Sequence, residues 1–156
     1  MLGAPRSRSP LRAASNAAFL GLARRDTAGA LRQFTAWRKA GGSDYFSLLA
    51  MVRLMVARGD VNGALVILNG REPSDWPIPS HVVWVLERAR LSELAGNREV
   101  AARDYQFVMD VWRHADPKLQ SFVEESRNAL ARLSGTVPLA GEQVRDRIGL
   151  PSAQLQ

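Results

Sequence analysis

The sequence predicts an all-α protein: a solenoid of three helix-turn-helix repeats followed by a C-terminal capping helix. Three stretches align, Arg25-Asp26-Thr27-Ala28-Gly29-Ala30-Leu31, Gly59-Asp60-Val61-Asn62-Gly63-Ala64-Leu65 and Gly96-Asn97-Arg98-Glu99-Val100-Ala101-Ala102, with 34 residues from Asp26 to Asp60 and 37 from Asp60 to Asn97. A period in this range marks a repeat array. Each stretch sits between two segments whose apolar residues recur at helical spacing. Alternating strand patterns are absent from the sequence. Three repeats is about the smallest array that is stable on its own.

The aligned stretch reads physically as a corner between two helices. Glycine at a helix end takes the left-handed conformation at low cost. The following Asp or Asn accepts hydrogen bonds from the free N–H groups that open the next helix. An alanine four residues on (Ala30, Ala64 and Ala101) lets the two helices approach closely. The first corner has Arg25 in place of glycine, a departure that predicts a looser turn.

The elements follow in order. A helix is expected over 11–24, with Ala14, Ala17, Ala18, Leu20 and Leu22 as its small apolar side. Its mate spans 27–39, carries Leu31, Phe34 and Trp37, and stops at Gly41-Gly42. Ser43 or Asp44 caps the next helix, which has Leu48, Met51, Val52 and Met55 on one face. A short mate over 61–69 ends at Asn69-Gly70, and the Pro- and Gly-rich segment 70–80 predicts a loop. Ser80 caps a helix through Ala95, whose mate runs from Arg98 to His114. Asp116-Pro117 pairs an N-cap residue with proline at the first helical position, a restart signal. The capping helix then carries Leu119, Phe122, Val123, Ser126, Leu130 and Leu133 in helical period and covers the last repeat's apolar face. The domain plan is a disordered basic arm over 1–10, the repeat domain over 11–134 and a flexible tail over 135–156.

Composition excludes several chemistries. The 156 residues contain no cysteine and only His81 and His114 as histidines. Disulfides, zinc thiolate sites, cysteine nucleophiles and histidine-rich metal sites are thereby excluded, and no cofactor is expected; a reducing, cytoplasmic location fits. No apolar run reaches the roughly 18–20 residues that span a bilayer. The net charge of +6 is concentrated at the start, because residues 1–25 hold five arginines (Arg6, Arg8, Arg12, Arg24 and Arg25) and no acid. Such an arm can touch phosphates, although solvation is its ordinary state.

The 34-residue spacing, the Gly-Asp/Asn corners, the alanine after each corner and the Asp116-Pro117 cap resemble tetratricopeptide repeats. More narrowly, Leu86-Glu87-Arg88-Ala89-Arg90, Leu94-Ala95-Gly96-Asn97 and the run from Tyr105 to Pro117 resemble the helical segment that follows the kinase domain in some bacterial serine/threonine protein kinases; similar segments occur in bacterial transcriptional regulators. The resemblance covers roughly residues 14–134. It implies a right-handed solenoid whose first helices line a concave face that holds a peptide. By position this assigns Arg12, Ser15 and Phe19 from the first repeat, Phe46, Leu49, Arg53 and Val56 from the second, and Val83, Leu86, Arg90 and Glu93 from the third. Arg53 and Arg90 are equivalent, and their guanidinium forks suit a carboxylate. The Lys/Asn carboxylate clamp of chaperone-binding members is absent, as are the glycine-rich loop, strand lysine, catalytic loop and Asp-Phe-Gly of a kinase.

Each prominent residue also has a plain structural reading. His114, four residues after Asp110, reads as a helix-end histidine favoured by the dipole, and His81 as a surface residue. Arg53 and Arg90 can lie over the helix surface, paired with Glu87, Glu93 or Asp60. Trp37, Trp84, Trp112 and Phe107 read as inter-helix core, whereas Trp76 in the proline-rich loop is either folded back or an exposed contact. Glu124-Glu125 point different ways from a helix and form no catalytic pair, and Arg58-Gly59-Asp60 is a corner rather than an adhesion signal. The functional expectation is a non-enzymatic, cytoplasmic scaffold that binds a protein or acidic peptide through Phe46, Leu49, Arg53, Val83, Leu86, Arg90 and Trp76, with self-association possible at the exposed ends. Its alternatives are an accessory or truncated regulatory segment of a bacterial kinase or transcriptional regulator, and nucleic-acid contact through the basic arm.

Overall fold

The computed structural model describes residues 10–70 and 79–135. The basic arm before Pro10, the proline-rich segment 71–78 with Trp76, and the tail beyond Gly135 lie outside the described residues. Within them the chain is all-α and has no strand. Its helices are α1 (Pro10–Ala23), α2 (Thr27–Lys39), α3 (Tyr45–Ala57), α4 (Val61–Asn69), α5 (Pro79–Leu94), α6 (Arg98–Val111) and α7 (Gln120–Leu133), with a 3₁₀ turn at Pro117–Leu119 before α7. Several bounds differ from expectation: α1 runs one residue earlier than 11–24, and α5 begins at Pro79, which puts Ser80 inside the helix rather than at its cap, and ends at Leu94 rather than Ala95. α6 stops at Val111, three residues before His114, because Trp112 caps it and the Ala115 N–H turns to the Trp112 carbonyl (3.0 Å). The helix expected to start at Pro117 opens as a 3₁₀ turn, held by Asp116 Oδ1 accepting from the Lys118 N–H at 2.9 Å.

The three repeated corners share one backbone conformation. Arg25, Gly59 and Gly96 have φ of 61°, 82° and 80°. The next residues, Asp26, Asp60 and Asn97, have φ/ψ of −85°/73°, −83°/64° and −79°/67°. In the first corner the Asp26 N–H bonds to the Gly21 carbonyl and the Arg25 N–H to that of Leu22, both at 2.9 Å. The third repeats this from Asn97 to Ser92 (2.8 Å) and from Gly96 to Glu93 (3.1 Å). This double closure satisfies carbonyls that a helix end leaves free. The same residue that closes one helix caps the next. Asp26 Oδ1 accepts from the Gly29 N–H at 2.7 Å, and Asp60 Oδ1 from the Gly63 N–H at 2.9 Å. Asn97 makes no such bond. Arg25 therefore does not loosen its corner as the sequence suggested. It adopts the turn that glycine adopts elsewhere, at a steric cost of about 1 kcal/mol.

The described residues form two compact units, within Met1–Met55 and within Val56–Gln156. In the first, α1 and α2 make a tight hairpin. A Cβ placed on Gly21 would lie 3.3 Å from Ala30 Cβ, and Ala18 and Ala30 are fully buried, so small residues set the interhelical approach. Aromatic rings fill the rest of the interface. Phe19 meets Phe34 edge-on at 5.2 Å between centroids, and Phe34 meets Trp37 at 6.4 Å. Gly42 is the seat of the Trp37 indole, since any Cβ there would fall 2.0 Å from the ring. α3 opens with Asp44 Oδ1 accepting from the Ser47 N–H at 2.9 Å.

In the second unit, Trp84 Nε1 on α5 donates to the Leu68 carbonyl near the end of α4 at 3.0 Å. This satisfies the one polar atom of a buried indole. The core lies among α5, α6 and α7. It is built from Val82, Val85, Leu86 and Ala89, then Ala101, Tyr105, Val108 and Trp112, then Val123 and Ala129. The corner alanines Ala64 and Ala101 are fully buried, as is Ala30 in the first unit.

Candidate interaction surfaces

Two helix faces carry the sequence-predicted site. On α3, Phe46, Leu49 and Arg53 follow at i, i+3 and i+7, which places them along one side. Phe46 is 76% exposed, Arg53 is exposed and Leu49 is buried. On α5, Val83, Leu86 and Arg90 repeat that spacing, but the outcome differs. Val83 is half-buried, Leu86 is 1% exposed and belongs to the core, and Arg90 is buried. Arg53 and Arg90 belong to different compact units. Trp76 is outside the described residues. Arg12 and Phe19 of the first repeat are exposed, and Ser15 is half-buried.

Arg90 is engaged inside its own unit. Its Nε and Nη2 donate to the two carboxylate oxygens of Glu125 on α7, both at 2.7 Å, and Nη1 lies 3.3 Å from Glu87. Burial alone would lower the Arg90 pKa, but the bond to Glu125 and the charges of Glu87 and Glu125 outweigh it and raise it further. A ligand carboxylate at this arginine would have to displace Glu125. Beside the pair lies a shallow depression of about 390 Å³ lined by Arg90, Ser121, Phe122, Glu124, Glu125 and Asn128. Arg90 and Glu125 in this lining neutralise one another, and Glu124 is paired with Arg127.

The Arg90 pair is one of three links that join α5 to α6 and α7. Arg88 holds Asp104 of α6 through two parallel bonds of 2.6 and 2.9 Å, and both groups are buried. Glu93 takes the Tyr105 hydroxyl at 2.8 Å and the Arg132 guanidinium of α7 at 3.0 to 3.2 Å. Burial, and the carboxylate it donates to, push the Tyr105 phenol well above its usual range. Paired geometry of this kind is what lets charges sit in a core at all. The Arg98 guanidinium, which donates to the Leu133 carbonyl, ties the start of α6 to the end of α7.

Both histidines need revision or placement. His81 is not a surface residue: it is 2% exposed, its ring 5.8 Å from that of Phe107. It occupies the first turn of α5, and that turn faces inward. His114 is exposed beyond the end of α6. Asp110, exposed on α6, is held below the usual carboxylate range by Gln106 and then Arg113. Glu124 and Glu125 do diverge, to Arg127 and Arg90 respectively. Trp37, Trp84 and Trp112 are buried, as core residues are. Among the described residues, no group of three or more His, Asp or Glu side chains converges to hold a metal ion, and no helix is long and apolar enough to cross a membrane.

The sequence does not indicate Asp104 as the partner of Arg88 or Glu125 as the partner of Arg90. The acids and arginines on these helices are nearly equal in number, so spacing alone cannot say which pairs meet. Compared with known proteins, the chain matches no family model, no curated protein and no solved structure.

Proposed function

We propose that this chain is a non-catalytic scaffold of tetratricopeptide-like repeats that binds a protein or peptide through the first helix of its second repeat. The three corners of one shape, each followed by a buried alanine, support the repeat reading. The observation that carries the binding reading is on α3. This helix buries Leu48, Leu49, Met51, Val52 and Leu54, yet it holds Phe46 out at 76% exposure, with Arg53 two turns further along the same side. A phenyl ring left in water with a guanidinium two turns away on the same side suits a partner segment with one apolar and one acidic side chain. The corresponding arginine of α5 is sequestered by Glu125, which moves the proposed contact from two repeats to one. The absence of cysteine fits a cytoplasmic setting.

The test is selection from a random peptide library on the intact protein. The expected winners combine an acidic residue with an aromatic or aliphatic one. They lose binding to Phe46→Ser/Arg53→Glu while circular dichroism keeps its helical signal. Peptides that bind the folded double variant as tightly as wild type would sink the assignment to α3.

A further inference from the structure

We propose that the α1–α2 hairpin docks on an anionic lipid membrane. Residues 10–40 carry six basic side chains, Arg12, Arg24, Arg25, Arg32, Arg38 and Lys39, against the single acid Asp26. Asp26 is committed to capping α2. Among the described residues none of the six cations makes an ion pair. Residues 79–135, by contrast, hold eight basic and eight acidic side chains. The excess positive charge of the described residues therefore resides on one hairpin, where no described acid pairs with it. Arg6 and Arg8 precede it in sequence.

The occupant follows from what lies between the cations. Ala13, Ala17 and Leu20 follow at i, i+4 and i+7 along α1, with Arg24 just past its end at i+11, and all four are exposed. Leu20 is 50% exposed, and Phe19 beside it is 39% exposed although its ring also meets Phe34. Arg12 and Arg24 stand about 18 Å apart along the helix direction, at the two ends of this apolar stripe. A second copy of the chain does not fit, because two such hairpins repel. Nucleic acid would use the arginines but gain nothing from a half-exposed leucine. An anionic bilayer uses both: guanidinium groups take the headgroup phosphates while Leu20 and Phe19 enter the acyl boundary. Thus α1 would lie in the plane of the surface. The inference does not depend on the peptide-binding reading of α3.

Vesicle flotation of the whole chain tests it, with phosphatidylcholine vesicles prepared with and without phosphatidylglycerol. Binding is expected only to the anionic vesicles, falling steeply as salt screens the surface. Arg12→Gln/Arg24→Gln weakens partitioning roughly twentyfold, from the loss of two charges near the surface. Leu20→Gln leaves every charge in place and weakens it roughly fivefold. Circular dichroism checks that both variants keep wild-type helix content. Absence of wild-type flotation with anionic vesicles at low salt overturns the proposal. So does unchanged flotation of Leu20→Gln, or duplex DNA outcompeting the vesicles with equal strength against wild type and Leu20→Gln. Either of the last two outcomes would mark a general polyanion surface.

Discussion

The α1–α2 hairpin and the α5–α7 bundle are both rich in arginine and use it in opposite ways. In the bundle, Arg88, Arg90 and Arg132 reach across to Asp104, Glu125 and Glu93 of neighbouring helices. In the hairpin, small residues and edge-on rings make the interface, and the cations stay outside it. Net charge for the whole chain therefore describes neither region. One part is electrically closed and held together by its charges. The other is open and held together without them.

The sharpest way to break this contrast is to remove one partner of a buried pair. Arg88→Met leaves the buried Asp104 carboxylate with only the 3.2 Å contact of the exposed Arg103 and should cost about 3 kcal/mol, read by chemical denaturation. Arg88→Met/Asp104→Leu should recover most of that loss, because the uncompensated charge is gone. Reversing charges on the hairpin, at Arg12 or Arg32, should leave stability nearly unchanged. If Arg88→Met proved equally harmless, the distinction between the two regions would fall.

In the hairpin unit the vulnerable point is steric. Gly42→Ala drives a methyl group into the Trp37 ring and should cost about 3 kcal/mol, with a change in Trp fluorescence. Sequence spacing did identify Gly41-Gly42 as the end of α2. It did not identify Gly42 as a seat for an indole, because that role depends on which way the chain turns after the helix ends.

A smaller effect separates the polar network from the apolar core around it. Tyr105→Phe removes the bond to Glu93 while Arg132 still holds that carboxylate, so a loss of about 1 kcal/mol is expected. The raised phenol pKa has a sign. The folded state favours the protonated form, so its contribution is complete below the free phenol's value of about 10 and fades as pH rises beyond it. An ultraviolet titration should show Tyr105 ionising only with unfolding.

The smallest pair of changes compares the corners. Gly96→Ala forces a side chain into the left-handed region and should cost about 1 kcal/mol. Arg25→Gly works in the other direction and should add about 0.5 kcal/mol, since relief of strain exceeds the flexibility gained by the unfolded chain. Thermal melts of the two variants should therefore move in opposite directions.

These corners also show how much of the molecule was legible in advance. Helix extents were readable within a residue for α2 and α4, where Asp26 and Asp60 mark the start. Local rules govern such signals. The partners of Arg88 and Arg90 lie 16 and 35 residues away, and no local rule reaches that far. The inward turn of His81 and the burial of Leu86 follow from α7 and α6 closing on α5, which is likewise a tertiary fact. Phe46 and Arg53, by contrast, are exposed on α3, as their sequence positions suggest.

Because a single residue ends one helix and begins the next, these junctions have no slack. One residue inserted beside Asp26 would rotate α2 by about 100° about its axis. Phe34 and Trp37 would swing out of their buried places, and Gln33 and Ala36 would take them. A deletion would do the same in the opposite sense. The junctions can thus change letter but not length, and the phase between paired helices is fixed by counting residues.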